Sequence, residues 1–393
     1  MSGWREATLG DVCELKRGYD LPKGSRGGGS VPVISSSGPT GWHDEAKVKA
    51  PGVVTGRYGT LGQVFYVTED FWPLNTSLYV RDFKGNDPKF VATLLRSLDL
   101  GQYDGAAAVP GLNRNHLHTL PVRVPVLQIQ RTIAHVAQGF DDLIENNRRR
   151  VAVLEEMART IFREWFVKYR YPGHEDVPLV DSALGPIPEG WEVRPLAAIA
   201  KVNQTSRKPR PDEVFRYLDI AALAEREVGE LDAVEGTDAP GRARRVIKPG
   251  DTVWATVRPN RRAHALVVAP GEDWIASTGL AVLSPTTVSS AFLFEATSTT
   301  TFSDWLIGRA TGSAYPAVRA VDFEEATVAV PNASIDAAFA EKVAPMHELS
   351  WKLRAECSAL AGLRDLLLPK LVTGQIDISS LNLDVLMEER VAS

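Results

Sequence analysis

The chain has 393 residues, 44% of them hydrophobic and 24% charged, and its formal net charge is −5. That length gives two or three domains with real cores in an ordinary globular composition. No apolar run approaches the ~18 residues needed to span a bilayer, and the start MSGWREATLG does not read as a secretory signal. Cys13 and Cys357 are far apart, with no other cysteine in the chain. They suit a reducing cytoplasm and cannot build a disulfide framework or a zinc site. The acidic balance argues against a DNA-binding domain that works alone, since such domains show a basic surplus. The basic residues are clustered instead, as Lys16-Arg17, Arg207-Lys208-x-Arg210, Arg242-x-Arg244-Arg245 and Arg258 with Arg261-Arg262.

Taken in chain order, the elements come twice. Gly3-Trp4 opens the chain, and Gly190-Trp191 returns within GPIPEGWEVRPL. Pro51-Gly52 and Pro249-Gly250 each start an apolar run. Trp72, Thr76, Leu78 and Val80 match Trp274, Thr278, Leu280 and Val282 at one offset. Helix is expected at FVATLLRSL and at FLFEATSTTTFSDWLI, among short strands and turns rich in glycine and proline. Pro110 to Pro125 (PGLNRNHLHTLPVRVP) aligns without gaps on Pro316 to Pro331 (PAVRAVDFEEATVAVP). Both read as a polar loop and a short alternating strand ending at proline.

After that proline both halves change period. Ile129, Ile133, Val136, Phe140, Leu143, Asn147, Leu154, Met157 and Ile161 step by threes and fours. Ile335, Phe339, Met346, Leu349, Leu353, Leu360, Leu363 and Leu367 repeat the pattern. About five heptads of this spacing predict coiled coil, with Asn147 setting register at a cost in stability. Pro345 predicts a kink in the second helix. Helices of ~40 residues are ~60 Å long, so antiparallel pairing predicts a rod with a globular domain at each end. The alternative is two long helices packed on separate cores.

The residues for chemistry are missing. The stretch Gly24–Ser30 lacks the lysine-hydroxyl pair of a phosphate-binding loop. No cofactor loop follows a strand, no Asn/Asp-Pro-Pro-aromatic tetrapeptide is present, and no Gly-x-Ser-x-Gly elbow appears. His116-x-His118 is a lone histidine pair without a third ligand nearby and reads as a polar loop feature.

The duplicated layout resembles the specificity subunits of Type I restriction-modification systems. The strings that carry the resemblance are GWREATLGDVCELKRG at the start, PVISSSGPTGWHDEA, VVTGRYGTLGQVFYV, GPIPEGWEVRPL and the closing LLLPKLVTGQID from Leu366 to Asp377. Together they cover nearly the whole chain. The resemblance implies an α+β chain, with two mixed α/β target recognition domains separated by two long helices forming an antiparallel coiled coil. It implies domains at 1–125 and 190–331, helices at 126–168 and 332–375, a linker at 169–189 and a tail at 376–393. The chain would be a non-catalytic, cytoplasmic address unit, each recognition domain reading one half-site of double-stranded DNA. Two methyltransferase and two motor-nuclease subunits would be its partners and would carry S-adenosylmethionine, ATP and Mg, with no cofactor or metal in this chain.

Base reading needs side chains at the major-groove edges, while phosphate contacts fix position. Arg57 and Tyr58 sit in one glycine-flanked turn, and Arg258, Asn260, Arg261 and Arg262 in the equivalent turn of the second half. Ser36, and the loop pair Asn113 and Arg114 with its counterpart Arg319, complete the base-facing set. Lys16, Arg17, Lys201, Arg207 and Lys208 are expected on phosphates. Partner docking is expected on the helices at Ile129, Phe140, Asn147, Leu154, Ile161, Trp165, Phe339, Leu353, Leu360 and Leu367. Ile161, Phe162, Trp165 and Phe166 are expected as an exposed apolar face. A coiled-coil scaffold shares the helices but needs no arginine-bearing turns. A self-contained methyltransferase needs motifs that are absent.

Overall fold

The computed structural model describes residues 3–98, 100, 111–376 and 378, so the expected tail at 376–393 lies outside it except for residues 376 and 378. The chain divides into two compact units, Met1–Glu145 with Ala359–Ser393, and Asn146–Ser358.

The first unit contains β1 (Trp4–Thr8), α1 (Leu9–Val12), β2 (Glu14–Arg17), β3 (Val31–Ser35), β4 (Gly38–His43), β5 (Gly52–Gly56), β6 (Val64–Val67), β7 (Trp72–Pro73), β8 (Ser77–Asp82), α2 (Pro88–Ser97), α3 (Arg114–His118) and β9 (Pro121–Pro125). Helix α4 (Leu127–Phe162) follows and continues into the second unit. The strands form sheets in the orders β2-β8-β5-β6 and β4-β3-β7, and β1 pairs with β9. Helix α2 starts where Asp87 accepts the Lys89 and Phe90 N–H groups with Pro88 at the first position, which supplies an N-cap and a preset φ. It buries Phe90, Val91, Leu94 and Leu95.

The second unit holds β10 (Leu179–Val180), β11 (Ile187–Pro188), β12 (Glu192–Pro195), β13 (Ala200–Val202), β14 (Val214–Leu218), β15 (Leu223–Ala224), β16 (Glu227–Val228), β17 (Asp232–Glu235), β18 (Ala243–Val246), β19 (Asp251–Ala255), β20 (His264–Val267), β21 (Trp274–Ser277), β22 (Leu280–Pro285), α5 (Ser290–Thr297), α6 (Thr300–Arg309), α7 (Ala320–Glu324) and β23 (Thr327–Val330). Helix α8 (Ala333–Val372) closes the described fold. Sheets run β13-β22-β19-β20 and β17-β14-β21-β18, and β12 pairs with β23. The two units therefore share a plan, down to one parallel pair each, β3 with β7 and β14 with β21. The stretch FLFEATSTTTFSDWLI is two helices, because Thr299 accepts the Phe302 N–H and starts α6 afresh.

The duplication reaches the joints. Trp4 lies opposite Pro125, and Glu192 lies opposite Val330, so β1 and β9, and likewise β12 and β23, are antiparallel neighbours. The Gln130 side chain on α4 accepts the Asp87 N–H at 2.9 Å. Asp336 on α8 accepts the Ser289 N–H at 2.7 Å. Asp87 and Ser289 are themselves the N-caps of α2 and α5. One acid on α4 also serves each unit. Asp141 takes Arg96 at 3.0 Å and Arg364 of α8 at 2.8 Å. Glu155 takes Arg354 of α8 at 2.8 Å, with Arg226 at 3.8 Å.

Within the first unit Ile133, Ala134 and Ala137 of α4 share a core with Leu368, Leu371 and Val372 of α8. Within the second, Ala158 and Phe162 share one with Phe339 and Val343. The start of each helix thus meets the end of the other. Burial along α4 follows Ile133, Ala137, Phe140, Ile144, Asn147, Val151, Leu154, Ala158, Ile161 and Trp165. Along α8 it follows Phe339, Val343, Met346, Ser350, Leu353, Cys357, Leu360, Arg364, Leu367 and Leu371. Both are strict 4-3 repeats, the spacing of a coiled-coil seam. Leu143, Met157, Leu349 and Leu363, expected on the seam, are exposed. The true seam positions beside the last three carry small or polar residues, Ala158, Ser350 and Arg364, that a search for bulk passes over, and Ile144 takes the place of Leu143. Helix α8 runs unbroken through Pro345, which is exposed together with Glu341. The carbonyl four residues back can therefore bond water instead of the missing N–H.

The expected exposed face at Ile161, Phe162, Trp165 and Phe166 is a core. Phe162, Trp165 and Phe166 are buried, Ile161 is half-buried, and the three buried rings surround fully buried Phe339 at centroid distances of 6.0, 5.9 and 4.8 Å. Trp191 of the second opening Gly-Trp packs on Phe166 at 5.6 Å and stacks on Tyr171 at 5.4 Å. Trp165, Phe339, Asn147 and Leu353 are thus covered by this chain's own side chains and offer no free surface to a partner.

Candidate nucleic-acid interface

In the first unit β5 ends at Gly56 and its chain turns at Arg57 and Tyr58. Both backbone N–H groups donate to the Thr76 carbonyl, at 2.9 and 3.1 Å, and the Arg57 carbonyl accepts the Leu112 N–H at 3.0 Å. The turn is therefore clamped between the start of β8 and the segment before α3. A Cβ on Gly111 would fall 2.3 Å from Tyr58 Cε1, so only glycine lets the ring lie there. The Arg57 guanidinium lies over that ring at 4.4 Å. Ser36 is brought in too, since its Oγ lies 3.6 Å from where a Gly59 Cβ would stand. Arg17 and Thr55 both pair with Leu78, so β2 and β5 end together at this edge of the sheet.

Asn113 and Arg114 stand beside the clamp, both exposed. The Asn113 side chain accepts the Asn115 N–H at 3.0 Å and caps α3, which occupies its oxygen. His118 Nε2 accepts the Leu15 N–H at 2.9 Å, so its free lone pair is spent within the fold. Burial pushes its pKa below the ordinary value. Among the described residues no group of three or more His, Cys, Asp or Glu is placed to hold a metal ion.

The second unit repeats the clamp. Thr256 N–H donates to the Gly279 carbonyl, the Thr256 carbonyl accepts the Val318 N–H at 2.9 Å, and Arg258 N–H donates to the Pro316 carbonyl at 2.7 Å. Residues Pro259–Arg261 make one 3₁₀ turn between Arg258 (φ 55°) and Arg262 (φ 52°). Left-handed backbone costs a non-glycine residue roughly 1–2 kcal/mol, so the clamp is holding strain. The Arg258 guanidinium lies over the Tyr315 ring at 4.8 Å, and Tyr315 is 68% exposed. Sequence reasoning missed Tyr315. Its only sequence signal was an aromatic residue in a glycine-serine-alanine loop just before the repeat's Pro316.

The four residues of this turn do not act alike. Arg262 donates to the Ser298 carbonyl at 2.8 Å and pairs with Glu225 at 3.3 Å, so it fastens the turn to the end of α5. Asn260 and Arg261 are exposed. Arg319 stands at the start of α7, where its backbone N–H donates to Asp322 at 2.7 Å and its exposed guanidinium pairs loosely with the same carboxylate at 3.7 Å. Under the turn lies His264, fully buried and stacked on Trp254 at 4.4 Å and 6°. Its Nδ1 faces the Arg262 carbonyl at 2.6 Å and its Nε2 the Ser298 hydroxyl at 2.9 Å. Burial pushes its pKa down to about 3, which keeps the ring neutral with Nδ1–H donating.

Other expected contacts lie apart from the turns. Lys201 pairs with Ser284, near the far end of β22 from Leu280, where β19 enters the turn. Arg207 is paired with Glu213 at 2.5 Å, which holds that carboxyl below its usual range, and Glu213 also faces Arg210 at 3.5 Å. Arg207, Lys208 and Arg210 line a recess with Glu272 and Asp273. Arg207's charge is thus already answered inside the protein, which corrects its reading as a free phosphate contact. Arg17 has Asp20 at 3.7 Å, and Lys16 stands over the Tyr19 ring at 5.5 Å.

Sequence reasoning also missed a buried charge network. Arg226 donates to both Glu295 oxygens, at 3.2 and 2.6 Å, and lies over Phe294 at 4.4 Å. His347 Nε2 meets Glu295 at 2.8 Å. Burial alone would raise the Glu295 pKa, but His347 and Arg226 outweigh it and hold the carboxyl below its ordinary value. The network ties the β15–β16 hairpin and α5 to both long helices.

The two units share a sheet plan, and each presents an arginine-bearing turn after the equivalent strand, β5 or β19. Residues 1–156 match the family model of the Type I restriction modification DNA specificity domain. The chain is 23% identical over 322 residues to the Type I restriction enzyme MjaIX specificity subunit of Methanocaldococcus jannaschii, covering 79% of this chain and 74% of that one. The putative MjaX specificity subunit of the same organism is 29% identical over 112 residues, 27% of this chain and 26% of that one. The crystal structure of the Type I restriction-modification S subunit from M. genitalium shares the fold, with a TM-score of 0.62 at 15% identity over 94% of this chain and 96% of that one. The chain is therefore similar to Type I specificity subunits, by family model over residues 1–156 and by fold over most of its length.

Proposed function

We propose that this chain reads a bipartite, asymmetric double-stranded DNA site, one half per unit, and directs partner subunits to methylate adenine or cleave DNA. It performs neither reaction itself. The observation that carries the reading is the paired clamp, Arg57 with Tyr58 in one unit and Arg258 with Tyr315 in the other, set at the same joint among unlike loops. Like scaffolds with unlike tips are what two different half-sites require.

The partners of this reading are two methyltransferase and two restriction subunits, which would hold S-adenosylmethionine, ATP and Mg, with the assembly working in the cytoplasm. No helix among the described residues is long and apolar enough to cross a membrane. The 4-3 seam supports pairing of α4 and α8 as an antiparallel coiled coil. Docking is then assigned to the apolar residues the seam leaves outside, Leu143, Val153, Met157, Leu349, Leu363 and Leu366, all exposed. The net charge of −5 gives the lone chain little attraction for DNA, so partners supply much of the positive field. Tight site binding by the lone chain at physiological salt would refute that division.

The test is to co-express the chain with the methyltransferase subunit encoded beside it and map N6-methyladenine by single-molecule sequencing. Methylation at one split motif, lost when this chain is omitted, is expected. An assembled, cofactor-loaded complex that leaves DNA unmethylated overturns the reading.

A further inference from the structure

The geometry points to Arg57 and Arg258 as guanine readers, one in each half-site, each held ready by the tyrosine under it. This assignment rests on the DNA-reading function proposed above and adds which residues discriminate and which base they select.

The first argument is the way arginines are spent in this acidic chain. Near the two clamps, Arg17, Arg262 and Arg319 each have a carboxylate within 4 Å, at 3.7, 3.3 and 3.7 Å. Among the described residues Arg57, Arg114, Arg258 and Arg261 have none, and of these four Arg57 and Arg258 are the two held over an aromatic ring. Each of these two guanidinium groups lies over a tyrosine ring, at 4.4 and 4.8 Å. A guanidinium stacked on a ring is fixed in plane while its N–H edge stays free. That edge is the group that bonds guanine O6 and N7 in bidentate fashion in the major groove. Stacking also removes rotamer freedom in advance, so less is lost when the base is bound.

The second argument is that the two stacks are built differently. In the first unit the ring is the next residue, Tyr58, and it is seated by the absence of a side chain at Gly111. In the second unit the residue pairing with the loop is Val257, opposite Ala317, and the ring comes from Tyr315 on the loop itself. Simple inheritance of a duplicated turn would have kept the ring in one place. The same arginine-on-tyrosine stack reached from two chain positions marks what the joint has to present. The fold gains little from it, because Tyr315 is 68% exposed and Arg258 holds a left-handed backbone at φ 55°.

Both half-sites must then contain a G·C pair, each discriminated on the order of 10- to 100-fold by its arginine. The experiment uses the complex with its methyltransferase subunit, S-adenosylmethionine and a duplex library varied at every position of the methylated motif. Arg258→Lys keeps charge but lacks the fork, and Tyr315→Ala leaves the fork but removes its support. Arg258→Lys is expected to lose the guanine preference at one position of one half-site and leave all other positions unchanged. Tyr315→Ala is expected to weaken the same position partially, and Arg57→Lys to act alike on the other half-site.

Three results overturn the assignment: an unchanged preference profile, a loss of affinity uniform across all sequences, or a wild-type motif lacking G·C in either half. The uniform loss would make these arginines phosphate contacts. A variant that falls apart is recognised by lost assembly on gel filtration, and Tyr315→Ala then decides at that half-site. Failure of the wild-type complex to methylate any split motif strikes the DNA-reading function instead, so the two failures are told apart.

Discussion

Acid should loosen the second unit through one residue, His264. The ring is fully buried between Trp254 and Phe294, and burial pushes its pKa from 6.5 down to about 3. Above 6.5 the ring is neutral folded or unfolded, and it costs nothing. As pH falls below 6.5, the unfolded chain takes a proton that the folded chain refuses, so stability declines until the folded value is reached. At about pH 5 the linkage relation gives a loss of roughly 2 kcal/mol, from 1.4 kcal/mol per unit of pKa difference. Urea unfolding followed by tryptophan fluorescence at pH 7.5 and pH 5 measures it, since Trp254 is in contact with the ring. The control is His264→Phe, which keeps the stack on Trp254, loses the bonds to the Arg262 carbonyl and Ser298, and cannot titrate. Its stability is lower at neutral pH, but its drop between the two pH values should be smaller than wild type by about 2 kcal/mol. Equal drops in both proteins would refute the reasoning, because they would mean that His264 takes its proton in the folded state as readily as in the unfolded one.

Removing Arg226 by Arg226→Met strands Glu295 and should cost about 3–5 kcal/mol in thermal unfolding. A loss below about 1 kcal/mol would mean His347 alone satisfies the carboxylate. Phe339→Ala empties the meeting point of Phe162, Trp165 and Phe166 and should cost about 3–5 kcal/mol by denaturant titration; an intact denaturation midpoint would contradict its place in the core. Gly111→Ala puts a methyl into the Tyr58 ring, so the methylation profile should degrade at one half-site only, while a profile changed in both halves would argue against independent reading by the two units.

Much of the scaffold was legible because duplication repeats its own signals. The Gly-Trp openings and proline closings pair with each other across β1–β9 and β12–β23, and the change to helical period after Pro125 and Pro331 is local information that a chain must carry. The seam was misjudged at Leu143 and Met157, where large apolar residues stand one position from Ile144 and Ala158. Bulk suggests burial, but heptad phase decides it. The aromatic run ending at Phe166 read as surface because its partners Phe339 and Phe292 are remote in the chain. Arg57, Tyr58 and Arg258 could be found from glycine-flanked turns. Tyr315 and the Arg226–Glu295–His347 network could not, since each depends on contacts that only the folded chain makes. Arg207 shows the converse, a basic residue whose charge is cancelled by Glu213, six positions on.

β1 and β9, and likewise β12 and β23, are hydrogen-bonded neighbours, about 4.8 Å apart, with Trp4 facing Pro125 and Glu192 facing Val330. A reading unit of this kind plugs in through two adjacent contacts, like a cartridge. Its interior can diverge or be exchanged whole while the socket is unchanged, so new addresses can arise by recombination at the two ends without redesign of the helices that follow.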